Sequence, residues 1–347
     1  MGILTLVLLR SFNVLLVLFG TLLITVVLLG PTLDKVLLEN VRSQVVDEVN
    51  ERHLKFQDPA EKQKFVKSEI DLRTKTLGLD EEWYSPTKLL SRLVSIMTLN
   101  LGKSHFFTTD SGSSNVRDII LEKLPKTLLL FSSSTILAII IGILLGTFVA
   151  SRSGSMWDKS SSIFAIFSNS FPSWWIAMIM IFLFAFTLQI FPARATPTSS
   201  PSDIMYPIDL AYHMILPLIT ITLVSFGSWS YIVRYFLANI LKEDYITAKR
   251  VIGIPRKKIL YSHALRNAAP PIITAVALSL ASSFGGSIIV EAVFDWPGMG
   301  KLYYDAIGLL DIPIIIGLTY VSTVIFVATV FIIDLSYTIL DPRVKIF

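Results

Sequence analysis

The chain has 347 residues, 53% of them hydrophobic and only 16% charged, and its mean hydropathy is +0.65. That balance excludes an ordinary water-soluble domain, in which about a quarter of the residues are charged. The formal net charge of +4 does not call for a nucleic-acid partner, because an apolar multispan chain gathers Lys and Arg in its cytoplasmic loops. Cysteine is absent, which removes disulfides, iron–sulfur ligation and thiolate catalysis.

Six stretches free of Asp, Glu, Lys and Arg, residues 11–33, 127–151, 160–193, 210–233, 267–290 and 312–333, reach the roughly 20 residues that a bilayer-crossing helix needs. They predict six transmembrane helices. The third is too long for one straight helix and holds Pro172 near its start, so a turn is expected before the span that begins at Trp174. Arg10 is followed by a longer apolar run than a secretory signal uses, with no small-residue cleavage pattern, so the first helix is expected to be retained. Leu6 stands where a myristoylation pattern has Ser or Thr.

Residues 34–126 form the one large loop. Leu38, Val41, Val45 and Val49 recur on one helical face. A second helix opens at Asp58-Pro59-Ala60-Glu61, with Asp58 as cap, Pro59 in first position and Glu61 closing a capping box. Phe65, Val66, Ile70 and Leu77 are its apolar face. The expectation is an external helical hairpin, either bulk over the membrane or a docking surface. Val116, Ile119, Ile120 and Leu124 line one side of the piece before the second span, which is expected to lie in the interface. The chain thus divides into 1–33, 34–126 and a core of 127–347.

Orientation follows from charge. With the N-terminus inside, the cytoplasmic loops carry Arg152, Lys159 and seven cations between Lys242 and Arg266, while the opposite short loops hold only Arg194 and Lys301. Arg343 and Lys345 agree, placing both termini in the cytoplasm.

Enzyme readings find no support. "LGKS" at 101–104 ends like a phosphate-binding loop, but Met97 occupies the position of its first glycine. Neither G-x-S-x-G nor H-E-x-x-H occurs, and the four histidines, His53, His105, His213 and His263, lack ligand spacing. An ion-driven secondary transporter, the other transport reading, would carry ionisable groups inside its spans; here only His213 lies within one, near an end, and Glu291 and Asp334 stand at helix termini.

The cationic loop, 238–269, is more particular. "DYITAKRVIG" has helical character up to Gly253, suited to a C′ position, and Pro255 stands at or near the start of a second helix. On charge alone, attraction to anionic lipid at about 1 kcal/mol per cation is an adequate reading. The pattern, however, resembles the "EAA" loop of permease subunits of ABC importers, in the version of the dipeptide/oligopeptide permease family: Asp244-Tyr245, Gly253 eight residues after the Tyr, then His263-Ala264-Leu265-Arg266-Asn267. "LNLGKS", "KLPKTLLL", "GGSIIVEAVFDWPGMGKLYYDAI" and "DLSYTILDPRVK" are similar to further elements of that family, in the same order. Lys249 and Ile252 depart from its pattern.

The resemblance implies an all-α membrane protein with six transmembrane helices of the type I ABC importer permease kind and an external helical insertion between the first two. It implies that Asp244, Tyr245, Thr247, Ala248, Arg250, Gly253, Ile254, Arg256 and Lys257 couple to a separate ATPase. In that reading Arg250, Arg256 and Lys257 steer docking, and Tyr245, Ala248 and Ile254 pack in its groove. Glu291, Trp296 and Gly298 mark an outer turn, read as a gate or receptor contact, or as a well-capped loop. Trp174 and Trp175 either line the path or sit at the interface. The implied partners are a second permease subunit, two ATP-binding subunits holding ATP and Mg, an extracytoplasmic substrate-binding protein and the bilayer. This chain is expected to bind no cofactor, metal or nucleic acid. The implied cargo is di- or oligopeptides, with oligosaccharides or nickel complexes as alternatives.

Overall fold

The computed structural model describes residues 3–51 and 59–340, and every regular element among them is helical. In chain order these are α1 (Ile3–Glu51), α2 (Pro59–Thr76), α3 (Pro86–Met97), α4 (Val116–Ala150), α5 (Met156–Ser170), α6 (Ser173–Ile181) with a π turn over Phe182–Thr187, α7 (Tyr206–Ile240), α8 (Asp244–Val251), α9 (Arg256–Ser283), α10 (Ile288–Phe294), α11 (Met299–Leu309) and α12 (Ile312–Leu340). Five helices are long and apolar enough to cross a membrane. Among the described residues the α5/α6 pair, bent by 96°, is apolar enough to add a sixth if it is one broken span. The break falls at Phe171-Pro172, as the proline predicts.

Two expected boundaries are absent. α1 runs through Pro31 for 49 residues, so the first span and the amphipathic stripe are one helix, with Val41, Val45 and Val49 buried along it. α4 likewise runs through Pro125. A proline within an apolar helix removes one hydrogen bond, which neighbours and small local adjustments absorb. The piece expected in the interface is therefore the start of α4, and Val116, Ile119 and Ile120 are buried in protein. Gly317 of α12 makes room for them: a Cβ there would fall 2.6 Å from Val116 Cγ1.

The chain divides into two compact units. One comprises Phe12–Ile120 with Ala306–Val324, so most of the first span belongs with the large loop. In it α2 lies beside α1, but its predicted apolar face is only partly used: Phe65 and Leu77 are exposed, whereas Val66 and Ile70 meet Arg42 and Val46 along a cleft. Arg73 forks onto Glu48 at 2.8 and 3.2 Å. Both partners are partly exposed, so solvent screens the pair and it adds little to stability. The Asp58 cap lies outside the described residues. α3 was not anticipated; the Ser85 hydroxyl accepts from Lys88 N, Pro86 takes the first turn, and Leu93 and Ile96 are buried.

The other unit is built on Leu121–Asp305, with α5, α6 and α9 packed on α7. α4 also approaches α7 closely. A Cβ on Gly142 would fall 2.3 Å from Trp229 Cβ, and one on Gly146 2.5 Å from Ser230 O. This G-x-x-x-G spacing brings helix backbones together where lipid offers no hydrophobic drive to do so.

Candidate functional site

The cationic loop folds as one short helix followed by the opening of a long one. α8 ends in a Schellman arrangement: Gly253 N donates to Arg250 O and Ile254 N to Lys249 O, both at 3.1 Å, with Gly253 at φ +85°. A Cβ on Gly253 would meet nothing within 4 Å, so glycine is required there by backbone conformation and not by crowding. Pro255 precedes the first residue of α9. The second short helix expected of the loop is thus the start of the fifth span, which passes through a π turn at Ile259–Ala264.

α8 is keyed to the spans on one face. Ile246 is completely buried in a cluster with Ala150 of α4, Val233 and Leu237 of α7 and Ile259, Ala264 and Ala268 of α9. Burying such a side chain contributes about 1.5–3 kcal/mol. Tyr245 accepts a 2.6 Å hydrogen bond at its hydroxyl from Asn267 Nδ2. Lys249 Nζ lies 2.8 Å from His263 Nδ1 and 5.6 Å from the Tyr245 ring centroid. An ammonium has no acceptor, so the imidazole nitrogen accepts. The lysine that departs from the family pattern is therefore spent inside the elbow.

The opposite face of α8 is open. Thr247, Ala248 and Val251 lie on it, and Ile252 at its end is exposed as well; Val251 and Ile252 are 81% and 73% exposed. Asp244, Arg250, Arg256 and Lys257 are also exposed, although Arg250 Nη2 donates to Leu241 O at 3.1 Å, closing the end of α7. The residues named from the sequence are thus sorted. Ala248, Thr247, Arg256 and Lys257 face outward, whereas Tyr245 is tied to α9 and Ile254 is half-buried against the chain's own core. Val251 was not singled out in the sequence, and Ile252 was noted only as a departure from the family pattern, although their place just before Gly253 is a readable signal.

α7, which helps to bury Ile246 of the elbow, is tied in turn to α5. Arg234 near the end of α7 forks onto Asp158 at 2.5 and 2.9 Å, and Asp158 also accepts from Gly154 N at 2.8 Å. Neither was singled out in the sequence.

The second candidate group, Glu291, Trp296 and Gly298, is buried, and Glu291 and Trp296 have no exposed surface at all. As placed, their side chains face the chain's own interior and tie this turn to the start of the second span. Glu291 accepts from Thr127 Oγ1 at 3.0 Å, Gly300 N at 2.8 Å and Lys301 N at 3.3 Å. Thr127 Oγ1 in turn accepts from Met299 N at 2.7 Å, and Trp296 Nε1 donates to Lys126 O at 3.1 Å. Gly298 fits because a Cβ there would fall 2.3 Å from Glu291 Oε2. Burial pushes the Glu291 carboxyl up to about 7, against the pull of its donors. Trp174 packs on the core beside Phe294 and Trp296, and Trp175 stacks on Phe171 at 4.8 Å. Among the described residues no group of three His, Asp or Glu side chains is arranged to hold a metal ion.

Comparison with known proteins agrees in kind. Residues 142–346 match the family described as binding-protein-dependent transport system inner membrane component. The oligopeptide transport system permease protein AppB of Bacillus subtilis is 34% identical over 68% of this chain and 76% of its own length. The dipeptide transport system permease protein DppB of the same organism is 34% identical over 73% and 77%. A putative peptide permease of Brucella suis is 32% identical over 81% and 86%. Among solved structures, a chain of the MetNI methionine ABC transporter matches with a TM-score of 0.49 and 16% identity, over 67% of this chain and 100% of that one. With more than half its length matched by the family model and relatives of this identity, the chain is a multi-pass membrane protein that belongs to the binding-protein-dependent transport system inner membrane component family.

Proposed function

We propose that the chain is a permease subunit of an ATP-driven importer of di- or oligopeptides, and that α8 with Gly253 is where a separate ATPase subunit grips it. The carrying observation is the division of α8 into two faces. Ile246 and Tyr245 fasten it to α7 and α9, while Ala248, Val251 and Ile252 stand open beside Arg256 and Lys257. A push on the open face is then delivered to two spans at once. ATP and Mg belong to that partner, a paralogous permease completes the path, and a binding protein on the far side delivers the peptide. Both chain ends lie on the ATPase side, as the loop charges argue.

The test is uptake of labelled di- and tripeptides into proteoliposomes holding all subunits. ATP-dependent uptake that is lost when Val251 and Ile252 are both replaced by Asp, with the chain still inserted, supports the reading. Uptake driven by an ion gradient without ATP overturns it.

A further inference from the structure

We propose that the unit formed by Phe12–Ile120 and Ala306–Val324 holds a binding site for a phosphate-headed membrane lipid, with Arg92 as its anion hook. A cleft of about 400 Å³ opens there. Its apolar wall is made by Val26, Leu33 and Leu37 of α1, Ile96 of α3, and Pro313 and Ile316 of α12. Its polar rim carries Arg92, Lys103 and His105. An apolar body with a cationic mouth matches an acyl chain joined to an anionic head.

The guanidinium is incompletely used. Arg92 Nη2 bonds Asp34 Oδ1, but Nη1 is buried and has no partner among the described residues. It lies over Gly30 in the cleft wall, where a Cβ would fall 3.3 Å from it. A buried, charged donor left unpaired is costly, and phosphate, like carboxylate, presents oxygens whose geometry matches a guanidinium. Asp34 is no remedy, because it is already shared with Lys88 Nζ at 2.8 Å. The other nearby carboxylate, Asp311, is occupied by Ser104 Oγ at 2.6 Å and the backbone N–H groups of His105 and Phe106. Arg92 and Lys103 are thus the charged side chains of the rim, which carries no carboxylate, while the ring of His105 is held by Asn40 Nδ2 at 3.2 Å.

The level is that of lipid headgroups. The cleft straddles the end of the first charge-free stretch at Leu33 and the start of the last at Ile312. Trp83, whose ring lies 3.6 Å from the Gly30 Cβ position, meets Tyr84 edge-on at 5.4 Å. Paired aromatics of this kind are typical of the membrane–water boundary. A free phosphate shares the head's chemistry but leaves the apolar wall empty, which separates the two sources.

The experiment uses the intact chain, purified in detergent and stripped of lipid, with binding of phosphatidylglycerol followed by native mass spectrometry. Wild type is expected to retain the lipid. Arg92→Gln should weaken binding roughly tenfold or more, the loss of a charged hydrogen bond. Because Arg92 also pairs with Asp34, Lys103→Gln at the rim and Ser95→Phe, which fills the cleft from α3, serve as second variants and should each lower retention. Equal retention in all three variants overturns the proposal. So does full displacement of the lipid by millimolar inorganic phosphate, or by a tripeptide.

Discussion

Asp158 and Arg234 pair across α5 and α7 at 2.5 and 2.9 Å, Arg234 directly following one charge-free stretch of the sequence and Asp158 standing two residues before another. The Asp158 side chain is 6% exposed and that of Arg234 25%, so removing one partner strands a largely desolvated charge. A double-mutant cycle with Asp158→Ala and Arg234→Ala, read by thermal unfolding in detergent, should give a coupling of about 1.5–3 kcal/mol. Additive effects would show that the pair is not coupled.

Gly146 is predicted to be intolerant for a different reason. Leucine there must displace the Ser230 carbonyl and the Val233 side chain, which a Cβ would already approach to 2.5 and 2.8 Å. Overpacking of this kind costs about 1–3 kcal/mol or more. The membrane-inserted, monodisperse yield of Gly146→Leu should fall well below that of Leu145→Gly, which changes an exposed neighbour.

At Gly253 the cost is conformational. Valine at φ +85° is strained by about 1–2 kcal/mol, and the strain falls on the hinge between α8 and α9 and not on the core. Gly253→Val should leave the chain inserted and the assembled complex hydrolysing ATP, while peptide taken up per ATP drops. Gly253→Asn, which tolerates this region better, should lie between. Unchanged coupling in the valine variant would remove the hinge from the mechanism.

Glu291 gives a pH prediction. Its carboxyl moves from 4.5 to about 7 on folding, chiefly through burial. An acid raised in the folded state favours the neutral form, so this contribution is fully present below about pH 4.5 and is lost as pH rises through about 7. The loss amounts to a few kcal/mol. Thermal midpoints of wild type should decline from pH 5 to pH 8 relative to Glu291→Gln, which stays neutral; parallel curves would disprove it.

The spans were legible because lipid tolerates few charges, so counting charge-free runs finds them. What those runs concealed is the use of the charges beside them. Glu291 follows the fifth stretch and accepts from the Gly300 and Lys301 amides. Asp311 precedes the sixth and receives Ser104 and two backbone N–H groups. Asp209 precedes the fourth and receives the Thr198 and Ser199 N–H groups at 2.7 and 2.8 Å. Such partners are distant in sequence and leave no local period. The charges at Asp34 and Lys126 marked where an apolar run ends but not where its helix does, because α1 and α4 continue across them, through Pro31 and Pro125 as well. In the elbow, the motif located the residues, but which of them turn outward depended on Ile246 finding a core supplied by three other helices.

The unbroken α1 has a geometric corollary. Beyond its charge-free part, residues 34–51 continue as helix, a further length of about 27 Å at 1.5 Å per residue. With no joint between this length and the span, α2 and α3, fastened to it at Glu48 and Asp34, take their position from a helix rooted in the hydrocarbon.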